Sequence, residues 1–171
     1  MTRIIMIDDE GYDAKVIRYA RTLTMTYKFD VGPNIPQMYD SLSEGIFTDV
    51  DDFLDYVDYL SEAGDPDAQR ERLEIRAFIV DQKMPPGDRL VRDFPDMQLA
   101  KNHNQTGTTL MKYLYKSFTN EVKSNSIHFF MLSIVSPYEA MMNEEDFTCP
   151  FLPKAHEFTS NCDYIVNVLG R

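Results

Sequence analysis

Ala77-Phe78-Ile79-Val80-Asp81 is an unbroken apolar run closed by an acid. Apolar residues in succession, without alternation, fit a strand covered on both faces, as in a parallel sheet. Working outward, three other stretches have the same form. Ile4–Ile7 leads into Asp8, Asp9 and Glu10. His128–Leu132 leads into Ser133, and the short Phe151–Leu152 leads through Pro153 into Lys154.

Helical stripes lie between these runs. Val16, Ala20, Leu23 and Tyr27 recur at helix spacing, as do Val50, Phe53, Leu54, Val57 and Leu60. Leu110, Met111, Leu114 and Phe118 form a third stripe, and Phe158, Cys162, Ile165 and Leu169 a last one. Strands alternating with helices predict an α/β fold with right-handed crossovers. A further strand is expected before Ala77. Lys28–Val31 and Ile46–Thr48 both qualify; the first is preferred because it follows the first helix closely and Gly32-Pro33 ends it.

The 171 residues suit a single domain, taken as residues 1–171. Two long segments read as insertions within it. Residues 32–75 contain an acidic helix, Asp49–Glu62, read as a solvated face. Residues 88–106 follow the Pro85-Pro86-Gly87 break without a clear period. They read as a mobile surface loop in preference to a lid.

Composition narrows the function. Hydrophobic residues make up 43%, enough for a core, and the net charge of −11 disfavours contact with nucleic acid. No run nears the roughly 18 apolar residues of a membrane span, and the N-terminus lacks a signal-peptide pattern. A cytoplasmic protein with no membrane contact is the expectation. Cys149 and Cys162 form no CxxC pair and read as reduced packing residues. His103, His128 and His156 are too scattered to suggest a histidine metal site.

In an open parallel sheet the carboxyl ends of the strands share one edge, and ligands bind in the crevice outside it. Acids, a hydroxyl and an ammonium would then meet there from four strands. Crowded carboxylates call for a cation or for protons. Mg²⁺ takes oxygen ligands, typically one or two carboxylates with phosphate oxygens. A carboxylate is also a nucleophile toward a phosphoryl group, whose peripheral charge a metal, a lysine and a hydroxyl would hold.

These stretches together resemble the receiver domain of the two-component response-regulator family. The matching segments are residues 3–10, 78–85, 130–133 and 151–154. The resemblance implies a flavodoxin-like three-layer sandwich, with a five-stranded parallel sheet of order 2-1-3-4-5. It implies Mg²⁺ on Asp8, Asp9, Asp81 and the backbone carbonyl of Lys83. Asp81 matches the phospho-acceptor, Ser133 and Lys154 the groups drawn to the phosphoryl, and Ser133 and Phe151 the switch positions. The implied role is phosphorelay signal transduction rather than enzymatic turnover. A histidine kinase or histidine phosphotransfer protein would donate. An output protein or a second copy would dock on the face of the fourth helix, fifth strand and fifth helix.

There are departures. Ala155 stands where the family usually has a proline, with Pro153 before the lysine instead. Thr106-Gly107-Thr108-Thr109-Leu110 is where the family pattern resumes after the second insertion. Two other readings stand beside this one: a degenerate receiver binding partners without phosphorylation, and a metal-dependent phosphohydrolase. The latter wants a water-activating group that Gln82 and Lys83 do not obviously supply.

Overall fold

The computed structural model describes residues 2–133, 150–153 and 158–170. Among the described residues the chain forms an α/β structure whose sheet has seven strands in the order β3-β4-β1-β5-β6-β7, with β2 also on β1. The strands are β1 Arg3–Ile7, β2 Asp30–Val31, β3 Leu42–Ser43, β4 Ile46–Phe47, β5 Ile75–Asp81, β6 His128–Ser133 and β7 Phe151–Pro153. The helices are α1 Ala14–Met25, α2 Val50–Leu60, α3 Pro66–Glu74, α4 Gly87–Asp93, α5 Thr106–Ser117, α6 Thr119–Lys123 and α7 Phe158–Val168.

The apolar runs are strands because both of their faces are buried. Ile5, Ile7, Phe78, Val80, Phe129 and Met131 pack into one core with α2 and α5. Their alternates Ile4, Met6, Ala77, Ile79, Phe130 and Leu132 pack into another with α1 and α7. Successive strand residues point to opposite faces, so continuous apolar character follows from helices on both sides.

The sheet departs from five parallel strands in the order 2-1-3-4-5. It is mixed, because β3 pairs antiparallel with β4. The second position is also divided. β5 occupies one edge of β1 from Arg3 to Ile7, while β2 pairs with Arg3 and Ile4 and β4 with Met6 and Ile7. The two competing segments thus share the other edge of β1. Glycines allow this: a Cβ on Gly32 would lie 2.6 Å from the Gly45 carbonyl oxygen, and one on Gly45 2.4 Å from that of Val31. Both have positive φ, +96° and +83°, which glycine adopts without penalty.

The region 88–106 is not a free loop. Its α4 is fixed to α2: the Asp51 carboxylate accepts the backbone N–H groups of Asp88 and Arg89 at 3.0 and 3.1 Å. Arg89 pairs with Asp58 at 2.7 Å and donates to the Tyr113 hydroxyl at 2.8 Å, which donates to Asp58 at 2.9 Å. Leu90 and Leu99 are buried beneath it. The acidic face of α2 therefore receives α4 instead of facing only solvent. Cys162 is a buried free thiol, its pKa pushed up to about 12 by that burial; Cys149 lies outside the described residues.

Candidate functional site

The site is built by register. Ile7 lies beside Val80, so the residues that follow, Asp8 and Asp81, leave neighbouring strands at one level. On the other side of β5, Asp81 lies beside Leu132. Ser133 ends β6 opposite Pro153. Three neighbouring strands thus deliver two acids and a hydroxyl to the carboxyl edge of the sheet. Lys154, Ala155 and the side chain of Phe151 lie outside the described residues.

Local chain geometry sets the first acid pair. The Asp8 N–H donates to the Phe47 carbonyl at 2.9 Å, extending the β1–β4 pairing. The Asp8 carboxylate accepts the Glu10 N–H at 2.9 Å, and the Asp8 carbonyl accepts the Gly11 N–H at 2.9 Å. An aspartate that hydrogen-bonds the backbone two residues on turns the chain sharply. The turn leaves Asp9 exposed while Asp8 stays buried at 1% exposure.

Asp81 is also buried, at 2% exposure. One carboxylate oxygen from each of Asp8, Asp9 and Asp81 lies within 4.8 Å of the other two. Two like charges 4 Å apart repel by about 4 kcal/mol at an effective dielectric near 20. A triad of carboxylates held this closely needs a cation or protons to offset it. All three donors are oxygens, so the set fits a hard ion of the Mg²⁺ type better than zinc. Asp9 keeps one side open to solvent, where a small ligand has access.

Ser133, 6% exposed, ends its strand at this edge. Lys83 lies on the surface just after Asp81, and Met84 returns to the core at 2% exposure.

The sequence did not reveal what holds the chain after Asp81. Gln82 is completely buried. Its backbone N–H donates to the Leu132 carbonyl and its carbonyl accepts the Gly107 N–H, each at 3.0 Å. Its side-chain amide donates to the Asn104 carbonyl and, at 2.9 Å, to the Thr108 hydroxyl. Gly107 permits the approach, since a Cβ there would lie 2.4 Å from the Asp81 carbonyl oxygen. The glycine within Thr106–Thr109 was the available signal, and α5 does begin at Thr106.

Compared with protein-family models, curated proteins and solved structures, the chain matches none.

Proposed function

We propose that this chain is a receiver-like phospho-accepting switch domain, with Asp81 as acceptor and Asp8, Asp9 and the Lys83 carbonyl as the holders of Mg²⁺. The observation that carries the reading is the carboxylate triad at adjacent strand ends. In this reading the fold elaborates the flavodoxin-like plan: β2 and β4 share the second position and β3 is added outside.

An Asp81 carboxylate oxygen attacks the phosphorus of a phosphohistidine donor. The P–N bond breaks, its electron pair stays with the donor imidazole, and that imidazole takes up a proton. Mg²⁺, when bound, supplies positive charge for the peripheral phosphoryl oxygens. Asp8 and Asp9 orient the site, and the Ser133 hydroxyl donates to the new phosphoryl group. Lys154 is assigned to pair with it. The added dianionic charge draws these groups inward and alters the face offered to an output partner. The donor is a histidine kinase or histidine phosphotransfer protein, and the chain acts as a signalling domain in the cytoplasm.

The test is incubation of the purified chain with Mg²⁺ and acetyl phosphate, followed by intact mass measurement. Here the P–O bond to acetate breaks, and acetate leaves. A gain of one phosphoryl group in the wild type, absent in Asp81→Asn, is expected. No gain favours an interaction module that works without phosphorylation. Unlimited release of phosphate favours a phosphohydrolase.

A further inference from the structure

We propose that Gln82 is a positioning residue for this site, holding the peptide that carries Asp81 and the Lys83 carbonyl by a clamp on the end of the 88–106 segment. The proposal rests on the receiver-like reading and extends it to a residue whose side chain touches neither metal nor phosphoryl group.

Gln82 sits between the proposed acceptor and the proposed carbonyl ligand, and the backbone on both sides is restrained. Its N–H is held by β6 through Leu132, and its carbonyl is held by α5 through Gly107. Its side chain reaches one further segment and α5 a second time. The Nε2 group donates to the Asn104 carbonyl at the end of the 88–106 segment and to the Thr108 hydroxyl on α5. The Thr108 hydroxyl lies 3.2 Å from Oε1, completing a two-point contact.

A fully buried amide is costly to leave unsatisfied, because no water reaches it to replace a lost partner. The clamp therefore has one strongly preferred geometry. Gly107 packs against the Asp81 carbonyl oxygen and Gln82 Cα from the same side, leaving the strand end little room to relax. Lys83 is then directed to solvent while Met84 is drawn into the core. The ties at Gln82 fix the two peptides on either side of it, and so limit where the Lys83 carbonyl, one peptide further on, can lie. Groups just outside a metal's own ligands commonly set its affinity in this way, with losses of about 10–100-fold on substitution.

Three variants test it on the full chain. Gln82→Met keeps the volume and removes the amide. Thr108→Val removes the hydroxyl from the other side of the contact. The third is the double variant. Circular dichroism and thermal melts establish folding at the working temperature, and calorimetric titration with Mg²⁺ alone gives affinity without phosphorylation. Each single variant is expected to bind Mg²⁺ about 10-fold more weakly, and the double variant little more weakly than either single one, because both changes break one contact. Phosphorylation by acetyl phosphate at saturating Mg²⁺ should recover partly. If folded Gln82→Met and Thr108→Val melt earlier yet bind Mg²⁺ as the wild type does, the role is structural only and the proposal is overturned. If the wild type binds Mg²⁺ but never gains a phosphoryl group, the acceptor reading fails while the positioning role is still decided by the titration. A wild type that binds no Mg²⁺ overturns both.

Discussion

The residues of the proposed site differ in how much of their placement a sequence exposes. Asp8, Asp9, Asp81 and Ser133 were legible because each follows or ends an apolar run, and a parallel sheet brings such ends together. Gln82 was not, because its partners Asn104 and Thr108 lie far along the chain and an amide in a loop carries no period. Gly107 was visible only as a glycine; its purpose depends on a close approach that no local pattern encodes. That approach yields a prediction. In Gly107→Ala the new methyl group would meet the Asp81 carbonyl at 2.4 Å and Gln82 Cα at 2.6 Å, both backbone atoms. Overpacking of this kind costs about 1–3 kcal/mol. Denaturant unfolding should show that loss, with weaker Mg²⁺ binding in the folded variant. An unchanged midpoint would mean that α5 moves away from the strand end without penalty.

Among the elements, long and strongly apolar ones were legible and short or polar ones were not. β1, β5, β6 and the stripes of α1, α2 and α5 stand out because continuous burial leaves a continuous apolar record. β3 has two residues, too few for a pattern, while β2 and β4, equally short, were legible only as rival candidates for one position. α3 buries only Ala68 and Glu71, so it has almost no apolar stripe. Its start was nonetheless encoded by Asp65, whose carboxylate caps Asp67 and Ala68, with Pro66 at the first helical position. α4 was missed because its stability comes from tertiary partners. Arg89 holds it to α2 and α5, and hydrogen bonding from Arg89 keeps the Asp58 carboxyl below its usual value of 3.8. A carboxylate whose folded pKa is lowered adds stability above the unfolded value and loses it as pH falls through the folded one. Asp58 is 49% exposed, so solvent screens the pair. Arg89→Met should therefore cost only about 1 kcal/mol at neutral pH. The difference from wild type should shrink as pH drops below the unfolded carboxylate range. Paired denaturation curves across acid pH check this, and a difference that is independent of pH would assign the effect to packing alone.

At the scale of the molecule, the α/β class followed from alternation, whereas the mixed, seven-stranded sheet did not. Two segments competed for one position beside β1, and the structure accommodates both by letting Gly32 and Gly45 bring their backbones together. Residues 88–106 likewise join the framework: one end is fixed to α2 through Asp51, and the other approaches Asp81 through Gln82. A chain of net charge −11 adds to the cost of its own acid cluster. The proposed metal and phosphoryl chemistry turns that concentration of charge to use. The most direct measurement is the location of the phosphoryl group. The chain, treated with acetyl phosphate and Mg²⁺, is reduced with borohydride, which converts an aspartyl phosphate to homoserine, and its peptides are sequenced by mass spectrometry. The account predicts conversion at Asp81, dependent on Mg²⁺ and lost in Asp8→Asn. Conversion at another acid, or none at all in a chain that binds Mg²⁺, would contradict it.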